Sequence, residues 1–376
     1  MHELDFSATL LARQQRLAQN LSANSLDHAV INPGPTLTYL TGLSFHLMER
    51  PVVAFFSAGG QPALVLPELE TAKLSGLPGD FHPFAYGEDP AAWLAVFRKA
   101  AEFAGLDGSV VGVEPARLRF LELSYLQDAA PTARFVSAAQ PLADLRICKD
   151  AQEIDAMRRA VQIAQQALQA VLPMIGPGVT ERQVASELVI QLFRAGSQTE
   201  LPFAPIVASG PNSANPHAVP SNRPLQTGDL LVIDWGASAD GYISDLTRTF
   251  AIGGASPEYQ RVAKLVKQAN QSGRDAAGPG VPAEAVDWAA RRLIAEAGYG
   301  EYFTHRTGHG IGMEGHEEPY IREGNRLILQ SGMAFTVEPG IYLPGRGGVR
   351  IEDNVVVTAT GAECLSDLPR ELIVLG

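Results

Sequence analysis

The residues whose types most clearly suit catalysis or metal binding lie together in one short segment, residues 305–319. It places three histidines among four glycines within fifteen residues, in the order His305-Arg306-Thr307-Gly308-His309-Gly310-Ile311-Gly312-Met313-Glu314-Gly315-His316-Glu317-Glu318-Pro319. Glycine supplies no core side chain and costs backbone entropy on folding, so this density suits a place where the backbone closely approaches another object. We expect that object to be a metal ion with its substrate.

Two other motifs can be matched to the same segment. Residues 310–315 have the glycine spacing of a dinucleotide-binding fingerprint, but that fingerprint follows a strand and opens a helix. Pro319 and the surrounding glycines disfavour a helix here. His309 is also not followed by the Glu-x-x-His that places two metal ligands on one helical turn. Further metal ligands must therefore come from other segments.

A first pair of acids occupies two neighbouring apolar segments. The run Asp229–Gly236 predicts a strand that contains Asp234, and the run Tyr242–Phe250 predicts a second strand that contains Asp245. Burying an acid in such a strand is costly unless it is paired or bound to a metal. Between the strands, Asp240-Gly241 is typical of a two-residue hairpin turn.

The length of this turn decides whether the two carboxylates share a face. A two-residue loop places Asp234 opposite Thr247 and diagonal to Asp245 on the same face, and a four-residue loop places the two acids directly opposite. In both registers the carboxylates would repel each other without a cation. A three-residue loop would separate them. In the alternative interpretation of these residues, Asp245 caps a turn or faces solvent.

A second pair of acids follows near the C-terminus. Glu338 lies in Phe335-Thr336-Val337-Glu338-Pro339-Gly340, and Glu352 lies in Val349-Arg350-Ile351-Glu352-Asp353-Asn354. The glycine-rich segment between them lets the chain turn back, so both acids are expected on paired strands. Strand alternation places Arg350 on the same face as Glu352. An ordinary Arg–Glu surface pair is the alternative interpretation.

Together these residues form an oxygen-rich set with one histidine. Such a set suits hard or borderline divalent ions, and Mn²⁺ more naturally than a thiolate-type zinc site. Four carboxylates would offset two dications, so we expect a two-metal centre. One more histidine, His217, lies in the loop Ser209-Gly210-Pro211-Asn212-Ser213-Ala214-Asn215-Pro216-His217. Taken alone, this loop histidine has no assigned role.

The elements that position these residues divide into two regions. In residues 1–143, short apolar runs alternate with helical patterns, which predicts an α/β domain. Strands are predicted at Ala29–Ile31, Val52–Phe56, Ala63–Leu66 and Val110–Val113, and helices at 7–21, Pro90–Ala104 and Pro115–Asp128. His46 and Arg50, in a loop before a strand, are candidates for covering a site.

Residues 144–376 predict an α+β domain that carries the chemistry. Helices are predicted at 151–172, 180–195, 257–276 and 282–297. Thr180 and Gln183 have the N-cap and N3 residue types of a capping box. Strands and glycine-proline loops account for most of the remainder.

Length and composition agree with two domains and a small partner. A chain of 376 residues exceeds the usual size of one core. Its net charge of −12 offers no footprint for nucleic acid or an anionic membrane. No apolar run reaches the roughly 18 residues of a membrane-spanning helix, and residues 1–6 lack the start of a signal peptide. With only two cysteines, we expect a cytoplasmic protein that binds a small molecule or peptide.

Taken together, these motifs resemble the metallopeptidases of the pita-bread fold over almost the whole chain. The resemblance is to the proline-specific branch, which holds prolidases (Xaa-Pro dipeptidases) and aminopeptidases P. The family order Asp, Asp, His, Glu, Glu is matched by Asp234, Asp245, His309, Glu338 and Glu352. Their surroundings are also family-like, namely Val-Ile-Asp-Trp-Gly-Ala, Ser-Asp-Leu-Thr-Arg-Thr, Gly-His-Gly-Ile-Gly, Val-Glu-Pro-Gly-Ile-Tyr and Gly-Val-Arg-Ile-Glu-Asp.

The resemblance implies a fold and a set of metal ligands. Residues 1–143 would form a creatinase-like domain for dimerisation and for covering the active site, and residues 144–376 would form the pita-bread catalytic domain of a homodimer. Asp234 would bind one ion, His309 and Glu338 the other, and Asp245 and Glu352 would bridge them. The ions are expected to be Mn²⁺, with Co²⁺ or Zn²⁺ as alternatives. Two such ions can acidify a water and polarise a carbonyl.

The resemblance also implies roles in catalysis and in substrate binding. Glu338 would be the general base, and His217 and His316 would stabilise the oxyanion or relay protons. Arg350 matches the family's arginine, and His305 would line the pocket on the proline side of the bond. The substrate would be a small peptide that contains Xaa-Pro.

Three alternatives to a dipeptidase remain. Aminopeptidases P act on longer peptides and share much of the central motif, but the compact length favours a dipeptidase. Methionine aminopeptidase shares the metal ligands but needs only the catalytic domain. A catalytically silent, peptide-binding relative would typically lack the full ligand set. Tyr320 departs from many archaeal prolidases, which have a basic residue there; Arg350 or a residue of the N-terminal domain could instead bind a free proline carboxylate.

Overall fold

The computed structural model describes residues 2–376, with side chains from Ser7 onward. The chain forms two compact units, Met1–Arg146 and Ile147–Gly376. No helix of the described residues is long and apolar enough to cross a membrane.

The N-terminal unit is an α/β fold around a six-stranded mixed sheet. Its strands are β1 (His28–Ile31), β2 (Val53–Ser57), β3 (Ala63–Pro67), β4 (His82–Tyr86), β5 (Val110–Val113) and β6 (Arg134–Ser137), in the order β4-β3-β2-β1-β5-β6. Its helices are α1 (His2–Ala23), α2 (Pro35–Thr41), α3 (Trp93–Ala104), α4 (Phe120–Ala129) and α5 (Ala139–Arg146). The four strands predicted from the apolar runs are confirmed.

The predicted helix starts in this unit differ from the observed ones: α1 begins at His2 rather than at residue 7, and α3 begins at Trp93, after a 3₁₀ turn that opens at Pro90. The helix expected from Pro115 begins only at Phe120, because Arg119 has an extended backbone. The Arg119 side chain bonds both to Glu122 in the first turn and to the carbonyl of Met48. Arg50 donates to Glu88 at 2.8 Å on the surface of the same unit.

Four helices of the C-terminal unit begin within one residue of the predicted starts. They are α6 (Ala151–Val171), α7 (Glu181–Arg194), α8 (Pro257–Ala276) and α9 (Ala283–Glu296). Asp150 and Thr180 each form a complete capping box, with Glu153 and Gln183 respectively. These reciprocal hydrogen bonds satisfy backbone N–H groups that a helix leaves unpaired.

Two sheets of this unit carry the acidic residues. The strands of this unit are β7 (Ile206–Ser209), β8 (Leu230–Trp235), β9 (Ser238–Ala239), β10 (Tyr242–Ile243), β11 (Leu246–Ile252), β12 (Gly308–Gly310), β13 (Glu317–Ile321), β14 (Ala334–Val337), β15 (Gly340–Leu343), β16 (Gly347–Arg350), β17 (Asp353–Val357), β18 (Ala362–Cys364) and β19 (Ile373–Leu375). The first sheet has the strand order β19-β11-β8-β7 and the second has the order β13-β12-β14-β17-β18, while β9-β10 and β15-β16 are hairpins. A bridge between Thr247 and Glu352 joins the two sheets.

The turn at Asp240-Gly241 fixes the register of the first acidic pair. Both turn residues have a positive φ, 50° and 78°, which is the geometry of a type I′ hairpin turn. Ala239 pairs with Tyr242, and Asp234 pairs with Thr247. This is the register predicted for a two-residue loop, so the side chains of Asp234 and Asp245 share a face.

Strand β8 is buried on both faces. One face is apolar, and the other carries Asp234. Leu231, Ile233 and Trp235 pack in one apolar cluster with residues of α6 and α7. The Trp235 indole donates to the Ala164 carbonyl at 2.8 Å. Strand alternation places Asp234 on the opposite face, towards the second sheet.

Candidate metal centre

The four acids and one histidine expected as ligands lie in or next to five different strands. Asp234 ends β8, Asp245 precedes β11, His309 is in β12, Glu338 follows β14 and Glu352 precedes β17. The structure brings them together in one buried place. His309 Nε2 lies 3.7 Å from Asp245 Oδ2 and 3.4 Å from Glu338 Oε1. Asp245, His309 and Glu352 each offer a ligand atom within 4.8 Å of one another.

The electrostatics of this cluster are those of an acid-rich site that needs a cation. Burial, followed by repulsion from Glu352, Asp234 and Glu338, raises the pKa of Asp245 well above its usual value. Burial and repulsion from Glu338 do the same to the pKa of Glu352. Burial raises the pKa of Glu338 to about 8 and also raises the pKa of Asp234. These carboxyl groups therefore cannot all be ionised at neutral pH unless a cation offsets their charge.

The donor atoms fit a divalent metal. Asp234 Oδ1 is buried and makes no hydrogen bond within the described part of the chain, which is costly unless a further partner binds it. Burial lowers the pKa of His309 well below its usual value, so the ring is neutral and can bind a metal. Four carboxylates and one neutral imidazole form a donor set for ions such as Mn²⁺.

The glycines of the central segment have a different role from the one expected. A Cβ added at Gly308 would lie 1.8 Å from the Thr336 carbonyl oxygen, and one at Gly310 would lie 2.2 Å from the Glu318 carbonyl oxygen. The backbone of β12 therefore closely approaches its neighbouring strands. At these two positions, the expectation that glycine makes room for the metal and substrate is wrong.

Arg350 is deeply engaged beside the cluster. Its guanidinium donates to Asp234 Oδ2 at 2.6 Å, to the Tyr342 hydroxyl at 2.9 Å, to Thr247 Oγ1 at 3.0 Å and to the Pro216 carbonyl at 3.2 Å. Four of its five N–H donors are thus used within the chain. Arg350 holds Asp234 in place and links it to the loop before His217.

The other candidate histidines lie around the same site. His305 Nε2 is 2.9 Å from the Tyr342 hydroxyl, and its Nδ1 is 3.9 Å from Glu338 Oε2. Burial and the charge of Arg350 lower the pKa of His305 to about 4. The His316 ring packs edge-on against His309, with 4.2 Å between centroids. His217 is exposed on its loop, next to Pro216.

Two residues of the site were missed in the sequence. Tyr342 joins His305 to Arg350, and burial raises its pKa to about 12. Thr247 donates to Glu352 Oε2 at 2.7 Å and accepts from Arg350. The hairpin registers could have indicated both residues, because Thr247 pairs with Asp234 and Tyr342 faces Gly348 two residues before Arg350.

Asp353 and its arginine partners stabilise the backbone next to Glu352. Its carboxylate accepts hydrogen bonds from Arg248 and Ser366 at 2.8 and 2.7 Å. Burial alone would raise the pKa of Asp353, but Arg248 and Arg370 hold it below its usual value. Arg248 also donates to the Glu352 carbonyl at 2.7 Å. This charged group therefore fixes the backbone at Glu352.

Comparisons with known proteins agree with this architecture. Residues 155–359 match Metallopeptidase family M24, and residues 13–148 match the Creatinase/Prolidase N-terminal domain. The chain is 36% identical to an Xaa-Pro dipeptidase of Lactobacillus delbrueckii subsp. lactis, over 96% of this chain and 98% of that protein.

Solved structures of similar proteins share the whole fold. The dipeptidase PepE from Mycobacterium ulcerans has a TM-score of 0.89 and 39% identity over 98% of each chain. A recombinant prolidase from Thermococcus sibiricus has a TM-score of 0.91 and 34% identity over 96% of this chain and 98% of that one. The protein therefore belongs to metallopeptidase family M24, with a creatinase-like N-terminal domain and a pita-bread catalytic domain.

Proposed function

We propose that this protein is an Xaa-Pro dipeptidase that uses two divalent metal ions. The observation that carries the proposal is the cluster of four carboxylates around His309, whose Nε2 lies 3.7 Å from Asp245 Oδ2 and 3.4 Å from Glu338 Oε1. The family match and the Xaa-Pro dipeptidase name of a relative that spans almost the whole chain support the substrate class.

The ligands of the proposed centre are Asp234, Asp245, His309, Glu338 and Glu352. When bound, two divalent ions would acidify a water molecule and polarise the scissile carbonyl. Mn²⁺ is the proposed physiological ion because the donor atoms are mostly carboxylate oxygens. The donor oxygens are held in advance by Arg350 at Asp234 and by Thr247 at Glu352.

Proton transfer is assigned to Glu338, and stabilisation of the oxyanion is assigned to two histidines. Glu338 lies within the ligand cluster, with its Oε1 3.4 Å from His309 Nε2, where a carboxylate can accept a proton from a nearby water molecule. Glu338 would take a proton from water and pass it towards the leaving proline nitrogen. His217 and His316 would stabilise the charge that develops on the carbonyl oxygen.

Selectivity for proline depends on the groups that face the proline side of the scissile bond. An Xaa-Pro bond has no N–H, so recognition depends on the ring and on whatever follows it. His305 and Tyr342 form a hydrogen-bonded pair beside Glu338 and would line the space for the ring.

Arg306 is the proposed partner of a free proline carboxylate. Its guanidinium lies 4.5 Å above the Tyr320 ring. Burial and then the charge of Arg306 lower the pKa of His316, which shows that this charge acts on the site. By contrast, Arg350 has most of its donors engaged. A cation beside Tyr320 supports a dipeptidase despite the absence of a basic residue at position 320.

The substrate class can be tested with three peptides. We would compare kcat/KM for Ala-Pro, Ala-Pro-amide and Ala-Pro-Ala under one metal condition. A dipeptidase should prefer Ala-Pro, because amidation or extension removes the carboxylate that pairs with a cation. A clear advantage for Ala-Pro-Ala would instead identify an aminopeptidase P, and no hydrolysis with any added metal would favour a peptide-binding protein.

We also propose a cytoplasmic homodimer in which the N-terminal domain, residues 1–143, contributes to dimerisation and to covering the active site. This proposal is based on the family to which the chain belongs and on its creatinase-like N-terminal domain. Light scattering coupled to size-exclusion chromatography would test it. A monomer at working concentration would contradict the dimer.

A further inference from the structure

One fully buried carboxylate of the catalytic domain has no part in the proposed mechanism. Glu181, the first residue of α7, has no exposed surface. Its Oε1 accepts hydrogen bonds from the Ser209 N–H at 2.7 Å and the Ser209 hydroxyl at 2.8 Å. Its Oε2 accepts from the Ser221 N–H at 3.0 Å and the Ser221 hydroxyl at 2.6 Å. The Asn212 amide contacts both oxygens at 3.1 and 3.0 Å.

The donors to Glu181 lie at the two ends of one loop. Ser209 is the last residue of β7, and Ser221 follows His217 by four positions. The segment between them, the 209–221 loop, carries the proposed catalytic histidine. One carboxylate therefore joins both ends of the loop and offsets part of the entropy that closing it costs.

The other side of the 209–221 loop is fixed against strand β16. The Gly348 N–H donates to Ser213 Oγ at 2.8 Å, and Arg350 donates to the Pro216 carbonyl at 3.2 Å. The contact is close, because a Cβ at Gly348 would lie 2.1 Å from the Ser213 carbonyl oxygen. The loop is thus held between Glu181 and the strand that carries Arg350.

We infer that Glu181 is a positioning residue that sets the place of His217 by fixing both ends of the 209–221 loop. The inference rests on the proposed role of His217. Glu181 itself lies outside the ligand cluster and touches none of the five proposed ligands among its hydrogen-bond partners.

The charge of Glu181 matters to this arrangement. Burial alone would raise the pKa of Glu181, but the hydrogen bonds from Ser221 and Ser209 hold it below its usual value. An ionised carboxylate can accept all of these hydrogen bonds because it is an acceptor only. A glutamine would direct an NH₂ group at some of the same donors and leave them buried and unsatisfied.

The test begins with the substitution Glu181→Gln in the full-length, metal-loaded protein. We expect kcat and kcat/KM for Ala-Pro to fall together by about 10- to 100-fold, as misplacement of a catalytic group by about 1 Å would do. Metal content should equal that of the wild type. Hydrogen exchange should accelerate in peptides from the 209–221 loop and remain unchanged in peptides from α8.

A double-mutant cycle separates positioning from a general structural role. If Glu181 acts through His217, Glu181→Gln should change kcat by less than about twofold in a His217→Ala background, which is within the error of additivity. An additive loss in the double mutant, or loss of metal in the single mutant, would overturn the inference. The matched control is Glu187→Gln on the same helix, where the carboxylate accepts a hydrogen bond from Gln191 in the next turn; its kcat should match the wild type.

A milder variant keeps the test decisive if Glu181→Gln fails to fold. Ser221→Ala removes one hydroxyl donor but leaves the Ser221 N–H bond to Glu181. It should lower kcat in the wild-type background and have no effect in the His217→Ala background. If His217→Ala itself were fully active, the proposed role of His217 would fail. If His217→Ala loses rate but the cycle is additive, only the role of Glu181 fails.

Discussion

Replacing Arg306 with glutamine would test how the pocket recognises the free carboxylate of a dipeptide. The Arg306 guanidinium stacks over Tyr320, and no acceptor among the side chains described, residues 7–376, forms an ion pair with it. A half-buried cation whose charge acts on Glu338 and His316, and which forms no ion pair with the side chains described, is available to a substrate. Glutamine keeps much of the length of the side chain and removes the charge.

The size of the effect follows from the burial of Arg306. A hydrogen bond to a charged group contributes about 1.5–3 kcal/mol. Because Arg306 is half-buried and solvent screens its charge, we take about 1–2 kcal/mol. At about 1.4 kcal/mol for each factor of ten, this predicts a loss of about 5- to 30-fold in kcat/KM for Ala-Pro.

The assay compares two substrates that differ only in the carboxylate. Arg306→Gln should reduce kcat/KM for Ala-Pro by the predicted factor and change kcat/KM for Ala-Pro-amide by less than about twofold. The control is Arg322→Gln, because Arg322 is exposed and its side chain bonds to the adjacent Glu323 carbonyl. Equal losses on both substrates would refute the assignment, since the interaction would then not involve the carboxylate.

Three further predictions concern the metal, the histidines and the buried carboxylate. Chelation should abolish hydrolysis and Mn²⁺ should restore it, and Asp245→Asn and Glu352→Gln should lose metal together with rate; full activity with unchanged metal content in either variant would contradict their role as ligands. His217→Ala and His316→Ala should retain metal and lose about 10²–10⁴-fold in kcat; weaker metal binding with normal kcat at saturation would make them ligands. Glu181→Gln should lower the free energy of unfolding near pH 7, and chemical denaturation should show this difference disappearing as the pH falls through the lowered pKa of Glu181, because the stabilising form is the ionised one; a difference independent of pH would contradict the reasoning.

The sequence predicts best the features that depend on local chemistry. The turn Asp240-Gly241 sets one register, in which Ala239 pairs with Tyr242 and Asp234 pairs with Thr247, since a type I′ turn determines the pairing of its strands. The capping box at Thr180 likewise marks the start of α7. In both cases residues within a few positions of each other decide the outcome.

Features that depend on distant contacts were not predictable in the same way. Strand β4 is an edge strand with mostly exposed residues, and its second residue is Pro83, which argues against a strand when only the sequence is considered. Glu181 looks like an ordinary first-turn acid, which favours the N-terminus of a helix. Its bonds to Ser209 and Ser221 exist only because the fold returns those residues to α7.

The two arginines of the site show why the type of a residue does not determine its role. Arg350 lies among the ligands, but its bonds to Asp234, Tyr342 and Thr247 leave it little capacity to bind a substrate carboxylate. Releasing any of them would leave a buried polar group unsatisfied, at a cost of about 1–3 kcal/mol. Arg306 has no such bonds to the side chains that the structure describes, residues 7–376, so a substrate can pair with it at lower cost. The resemblance indicates Arg350 as the family's arginine, whereas the hydrogen bonds of the folded chain favour Arg306 as the group that recognises the end of a dipeptide.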